Sequence, residues 1–445
     1  GETSPLPIIF PSPGIDNPIG LSYLTGMAER PASLRSVVLF CVVAFTSMLS
    51  SCSLFERTTA TLWTNRPEIA AYVEVFNAEQ DRYKIEVAFR QNPAKSLIEA
   101  QTPPDILFGT RLTSALLRDR FHSLDPLFKK ELLDPTIFYP RLLDYGKIEE
   151  EQMLLPVSFR IPVVLFRPDF IPAETDSFRI TLEEIKTLAA EFTGSGGEDN
   201  ERMGFVTYWE PEFLYAATTL MGARYRETEG GQLAWDNSSL QRSVQELMGW
   251  SVSNNGGLES EKRFTERYLY NPGYKLINSG RILFYFMELQ DFLTIPDDKR
   301  ETVDFRWLSN GEGIFLSEDI LFTGIPRGAK GRKVARYFLT WLFQEKTQEN
   351  LLEAARFKRT RSFGIAGGFS SLVWINEREI PHYHPDILGH IPPEGRIEFP
   401  PPLPIDWTEM KNEVLLPWLE ESVSSGRERG SLDGRLQTWL LQKPQ

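Results

Sequence analysis

The hydrophobic pattern changes period repeatedly between residues 58 and 118. Thr59 to Thr64 reads as a strand, with Trp63 near its end. Pro67 and Glu68 suit the first turn of a helix. Ile69, Tyr72, Val73 and Phe76 then share one helical face. Tyr83, Ile85, Val87 and Phe89 alternate with Lys84, Glu86 and Ala88, a strand period. Ala94 to Ala100 follows as a short helix, Asp105 to Gly109 as a buried strand, and Arg111 to Arg118 as a further helix. This alternation predicts a parallel sheet wrapped by helices.

Pro156 to Phe166 is a long extended stretch broken by Pro162, a residue tolerated at strand starts, edges or bulges. Thr181 suits the N-cap of a helix with Leu182, Ile185, Leu188, Ala189 and Phe192 on its apolar face. Gly194 to Asn200 reads as a surface loop, Gly204 to Tyr208 as a strand, and Pro211 opens another helix. Leu240, Val244, Leu247 and Met248 mark a helix; Ile282 to Phe286 and Ile320 to Ile325 are apolar strands. Val334, Tyr337, Phe338, Trp341 and Leu342 give a strongly amphipathic helix. Pro381 to Pro404 is proline-rich and reads as an extended surface loop. Glu413 to Ser422 is the last expected helix, kinked or started by Pro417.

Composition narrows the function classes. The chain has 445 residues, 41% hydrophobic and 24% charged, which suits two or three globular units and excludes general disorder. Its net charge of -13 argues against a nucleic-acid partner. Two cysteines, Cys41 and Cys52, exclude a disulfide framework and a Cys-rich metal site. His382, His384 and His390 cluster with Asp386 in the proline-rich stretch, where solvated loop histidines are the simpler reading; no metal or other cofactor is expected. Walker A, GxGxxG, HExxH and GxSxG motifs are absent, so no enzyme activity is expected.

The leader carries the most specific signal. Arg30 and Arg35 precede the apolar run Val37 to Phe45, too short to span a membrane and suited to a secretory signal. Leu49-Ser50-Ser51-Cys52 resembles the bacterial lipobox, whose cysteine is lipidated and becomes the new N-terminus. Residues 1–26 read as an upstream extension, 27–51 as the signal peptide and Cys52 as the lipidation site. Acyl chains there would anchor the chain to a membrane of the cell envelope.

Five ordered segments carry a family likeness: Ala60 to Thr64 with Tyr72 to Asn77; Pro104 to Phe108 with Leu124 to Leu127; Leu155 to Ser158 with Val164 to Phe166; Thr181 to Glu184; and Gly324 to Gly328 with Ala335 to Leu342. Together they resemble the bacterial extracellular solute-binding proteins of ABC importers, in the branch that includes maltose-binding protein. The resemblance implies a two-lobed α/β fold of the periplasmic-binding type II class, each lobe a mostly parallel sheet with flanking helices. It places lobe 1 at 53–165 plus 318–372, and lobe 2 at 166–317 plus 373–445. The chain is expected to leave lobe 1 near Phe166 and return near Glu318. The implied partners are a small solute, most plausibly a carbohydrate, and the transmembrane subunits of a permease, with the receptor itself a monomer. Arg167-Pro168-Asp169 and the proline-rich tail depart from the family pattern.

Ligands of open α/β sheets bind beyond the carboxyl ends of strands. The candidates are therefore Trp63, Thr64, Asn65 and Arg66 after the first strand, and Gly109, Thr110 and Arg111 after the third. Arg160 lies in the crossing; Tyr208, Trp209 and Glu210 end the Gly204 segment; Tyr285, Phe286 and Glu288 close the Ile282 strand; Glu318 and Asp319 precede the returning strand. Trp63 or Trp209 would stack on a sugar face. Two rivals stay open: an adhesin or other surface lipoprotein on the same fold, and an anchored hydrolase with paired carboxylates.

Overall fold

The computed structural model describes residues 57–172, 176, 178–194, 202–357, 362–425 and 430–443. The upstream extension, signal peptide, lipobox and Cys52 lie outside the described residues, as do residues 195–200 of the glycine-rich loop.

β1 (Thr58–Thr64) buries Ala60, Leu62 and Thr64 on one face, as its alternation predicts. α1 (Pro67–Glu79) buries Ile69, Tyr72, Val73 and Phe76, and β2 (Tyr83–Phe89) buries Tyr83 and Ile85. Asn92 caps α2 (Pro93–Glu99), and β3 (Ile106–Gly109) is buried throughout. The helix expected over Arg111 to Arg118 is instead a later, tighter 3-10 turn, Ala115–Arg120. Ser114 caps it by accepting the Leu116 N–H, while Arg111 is drawn inward to an ion pair.

β4 (Leu155–Phe159) and β5 (Pro162–Phe166) are two strands, because Pro162 heads the second one. The principal elements that follow are β6 (Arg179–Thr181), α3 (Leu182–Gly194), α4 (Pro211–Leu220), α5 (Asn237–Asn255), α6 (Leu258–Tyr268), β7 (Tyr285–Glu288), β8 (Asp304–Ser309), β9 (Ile314–Phe315), β10 (Leu321–Gly324), α7 (Arg332–Leu342), α8 (Glu345–Phe357), β11 (Phe369–Ser370), β12 (Ile397–Glu398), α9 (Leu416–Ser425) and α10 (Leu432–Gln442). α3 opens on a reciprocal cap: the Glu184 N–H donates to Thr181 Oγ1 at 3.2 Å, and Thr181 N–H donates to the Glu184 carboxylate at 2.8 Å.

Two sheets result. The first has the order β11-β4-β10-β3-β1-β2, parallel at β1–β2 and β1–β3 and antiparallel where β10 and β11 return. The second has the order β7-β5-β8-β9-β12, with β6 parallel to β8 and β12 parallel to β9. The first crossing between sheets falls at Arg160–Ile161, earlier than the expected Phe166, since β5 already pairs with β7 and β8. The return runs through Ser317 to Asp319, and the Ser317 N–H donates to Arg160 O at 3.0 Å, tying the two crossings together.

Two further expectations are corrected. Gly204 to Tyr208 is not a strand. The N–H groups of Leu283 and Phe284 both converge on Gly204 O at 3.0 Å, so no alternating ladder can form. Gly204 is also pressed on α3, where a Cβ would stand 2.3 Å from Ala189 Cα. A Gly204→Ala chain should lose about 1–3 kcal/mol, read as a lower urea midpoint with an unchanged slope.

The proline-rich stretch is a strap rather than a loose loop. It buries Ile387, Ile397 and Leu403, and it supplies β12. Its carbonyls accept side-chain donors from both sides: Tyr145 OH to Pro400 O at 2.6 Å, and Trp307 Nε1 to His390 O at 3.0 Å. Downstream, Trp407–Met410 continues through a widened turn, Lys411–Leu415, into α9. The widening lies just before Pro417, whose ring would clash within a regular turn. α10 follows and was not anticipated from the sequence.

Candidate functional site

The strand ends and the two crossings meet in one charged cluster. Arg66 follows β1 and Arg111 follows β3. Arg160 lies in the first crossing, Glu318 and Asp319 in the second. The second sheet's side brings Glu212 from the first turn of α4, Tyr285 and Glu288 from β7, and Lys411 from the widened turn.

Arg111 donates from Nη1 to Glu318 O at 2.6 Å and from Nη2 to Asp319 at 3.0 Å. Arg66 reaches to 3.9 Å of the same aspartate. Lys411 Nζ stands 2.6 Å from Glu318 and 2.9 Å from Glu212, and Trp407 Nε1 donates to Glu318 at 3.0 Å. The adjacent carboxylates thus face different partners, Asp319 the strand ends of the first sheet and Glu318 the helical segment Trp407–Leu415. The Glu318 side chain is only 4% exposed and that of Lys411 11%. Burial opposes ionisation of Glu318, yet Lys411 and Arg111 outweigh it and hold the carboxyl below the usual range. Burial likewise opposes the Lys411 charge, and Glu318 with Glu212 outweigh it and push the amine up.

The end of the cluster at Glu288 and Arg160, beside the first crossing and called the hinge end, is different. Burial pushes the Glu288 carboxyl up to about 8, and Arg160 opposes this only in part. Arg160 Nε donates to Gly367 O at 3.0 Å. Gly367 has φ +78°, and the space where its side chain would begin is bordered by Arg160 Nη2 and Gln290 Oε1, both at 2.8 Å, and Glu68 Oε1 at 3.5 Å. Ser362 donates to Glu68 at 2.9 Å. Nearby, Tyr285 OH donates to Glu210, whose carboxyl is raised by burial.

The structure therefore gathers Arg66, Arg160, Tyr285, Glu318, Glu210, Glu288 and Asp319. Asn65, Thr110 and Arg111 line a neighbouring 110 Å³ cavity closed by Thr408 and Glu409. Gly109 is buried at the end of β3. Other candidates already have partners: Arg90 lies over the Trp63 ring at 4.4 Å, and Trp209 packs edge-on against Phe264 at 5.9 Å. Tyr208 is half-buried, and burial pushes its hydroxyl up to about 12. Phe286 is buried in the second sheet, and Thr64 accepts the Arg66 N–H. Sequence reasoning missed Glu212, Gln290, Trp407 and Lys411. A signal existed for Lys411: it shares a helical stripe with Trp407, Val414 and Leu415, where a solvated lysine is out of place.

Among the described residues, no group of His, Cys, Asp and Glu is placed to hold a metal. His390 packs at a tilt against Phe305 at 4.5 Å, and Asp386 pairs with Arg300 at 2.9 Å.

No protein-family model matches the sequence, and no curated protein sequence does. Solved structures do match. The sugar-binding protein MalE from Xanthomonas citri superposes with a TM-score of 0.61 at 15% identity, over 86% of this chain and 95% of that one. CpMnBP1 with mannobiose bound gives 0.56 at 12% identity, over 86% and 99%. The ABC substrate-binding protein Lmo0181 from Listeria monocytogenes, in complex with cycloalternan, gives 0.54 at 12% identity, over 86% and 97%. The chain has the two-lobed α/β fold of these sugar-binding proteins, as the ordered segments implied. In this fold, the charged cluster sits where the two sheets cross.

Proposed function

We propose that the chain is the solute-binding receptor of an ABC importer, lipid-anchored at the cell envelope through Cys52. It takes a sugar or oligosaccharide between its lobes, performs no chemistry on it, and docks on the permease when closed. The observation that carries this reading is the polar cluster at the sheet crossings of a fold whose structural neighbours are named as sugar binders. The binding energy of the solute favours the closed arrangement, which the permease then recognises.

A thermal-shift screen of the full chain against sugars, polyols, amino acids and phosphorylated metabolites tests it. A solute at about 100 times its Kd stabilises by about 2.7 kcal/mol, a clear rise in Tm. A hit confined to carbohydrates supports the reading, and a flat response to every sugar counts against it. A Cys52→Ser chain should move from the membrane fraction to the soluble fraction; retention on the membrane would rule out the lipid anchor.

A second reading keeps the fold and drops transport, leaving a surface lipoprotein. One observation favours it: Arg111, Glu318, Asp319 and Lys411 already pair with one another within the site. A flat response across the whole solute panel would select it.

A further inference from the structure

We propose that the hinge end of the site is a subsite for a positively charged amine carried by a sugar-like solute, with Glu288 setting that preference; this rests on the receptor reading and deepens it. Charge is the first argument. Six carboxyl groups, Glu68, Glu210, Glu212, Glu288, Glu318 and Asp319, gather with four cations, Arg66, Arg111, Arg160 and Lys411. Arg111 and Lys411 are occupied by Glu318, Asp319 and Glu212. The hinge end keeps Glu68, Glu210 and Glu288 against Arg66 and Arg160, so it gains one uncompensated negative charge whenever Glu288 is ionised.

Unmet hydrogen bonding is the second argument. Glu288 Oε2, Gln290 Oε1 and Glu68 Oε2 are shielded from solvent and have no hydrogen-bond partner. Gln290 Oε1 and Glu68 Oε2 need donors, and Glu288 Oε2 joins them once its carboxyl is ionised. A hydroxyl supplies one donor, whereas an ammonium supplies three and offsets charge as well. Arg160 Nη2 borders the same space as Gln290 Oε1. A donor for a neighbouring hydroxyl oxygen thus stands beside the acceptors, and a vicinal amine and hydroxyl match the pair. Gln290 and Ser362 also line a 410 Å³ cavity that includes Phe363 and His384. That volume lies within the range of small-ligand sites.

Glu288 ties the subsite to protons. It faces Arg160 and Glu318–Asp319 of the crossings and Glu212 of α4, and it keeps its proton until about pH 8. An ammonium bound beside it favours the ionised carboxylate, so binding at pH 7 releases a proton.

Isothermal titration of the full chain tests this, using glucosamine oligosaccharides, their N-acetylated forms and the matching glucose oligosaccharides. The expected result is binding of the amine form about tenfold tighter than its hydroxyl counterpart at pH 7, with heats that vary with buffer ionisation. Glu288→Gln should collapse that ratio to about one and abolish the buffer dependence. Equal affinities, or a ratio unmoved by the substitution, would overturn the amine preference while leaving the receptor reading intact. Failure of all three solutes after another sugar has given a thermal-shift hit would do the same. Failure of every solute in both experiments would overturn the receptor reading and the subsite with it.

Discussion

A Lys411→Met chain should unfold at a markedly lower denaturant concentration than the parent, with a loss of about 3–5 kcal/mol at pH 7. The substitution keeps the length of the side chain and its contacts with Tyr215, over whose ring the Lys411 amine stands at 5.2 Å. What it removes is the counterion of a carboxylate that is 4% exposed. Arg111 cannot take over, because its hydrogen bonds go to the Glu318 backbone oxygen and to Asp319. Trp407 supplies one neutral donor, which does not offset a buried charge. In the parent, Glu318 is held below the usual carboxylate range by Lys411 and Arg111 against burial. Without the lysine, burial prevails and the carboxyl takes up a proton. The deficit should therefore shrink as pH falls, since a protonated Glu318 needs no counterion. Equilibrium urea titrations at pH 7 and pH 4.5 check both parts. A loss below about 1 kcal/mol at pH 7 would mean that the pair behaves as a solvated surface bridge.

The same residues explain what the sequence could and could not reveal. Local period was sufficient for α1, β2 and α7, because burial there follows one face of one element. It failed for Gly204 to Tyr208, where two donors share one carbonyl and the chain lies against Ala189 instead of a neighbouring strand. The proline-rich strap reads as solvated because its fixation comes from distant donors, Tyr145 and Trp307, which no local pattern encodes. Of the candidate positions taken from strand ends and crossings, Arg66, Arg160 and Glu318 do come together, since the fold itself carries them to the crossings. The pairings stayed hidden: Lys411 is 199 positions from Glu212, and Arg111 is 208 from Asp319. Aromatic residues are ambiguous for a physical reason. Trp63 and Trp209 are large enough to be core or ligand platforms, and here Arg90 lies over one and Phe264 meets the other edge-on.

Replacing Glu288 by glutamine should stabilise the protein increasingly as pH rises. In the unfolded chain this carboxyl gives up its proton near its ordinary value of 4.5, and in the folded chain only near 8. Below pH 4.5 it is protonated in both states and contributes nothing. Between those values the folded state holds a proton that the unfolded state has lost, so stability falls as pH rises. Above about 8 both states are ionised, and the buried charge imposes its full cost, about 3–5 kcal/mol. Glutamine is neutral throughout and keeps an oxygen and a similar shape, so it avoids that cost. Burial also raises Glu210, Glu212 and Glu261, which gives both proteins a slope of the same sign. The difference between parent and variant isolates Glu288. Urea midpoints of the two should nearly coincide at pH 4 and separate progressively up to pH 9. A constant gap across that range would mean that the carboxyl titrates normally, and that the hinge end of the site is wetter than its unpartnered oxygens indicate. A gap that widens with pH would establish a proton held inside the site at neutral pH, available to be exchanged for the positive charge of a bound solute.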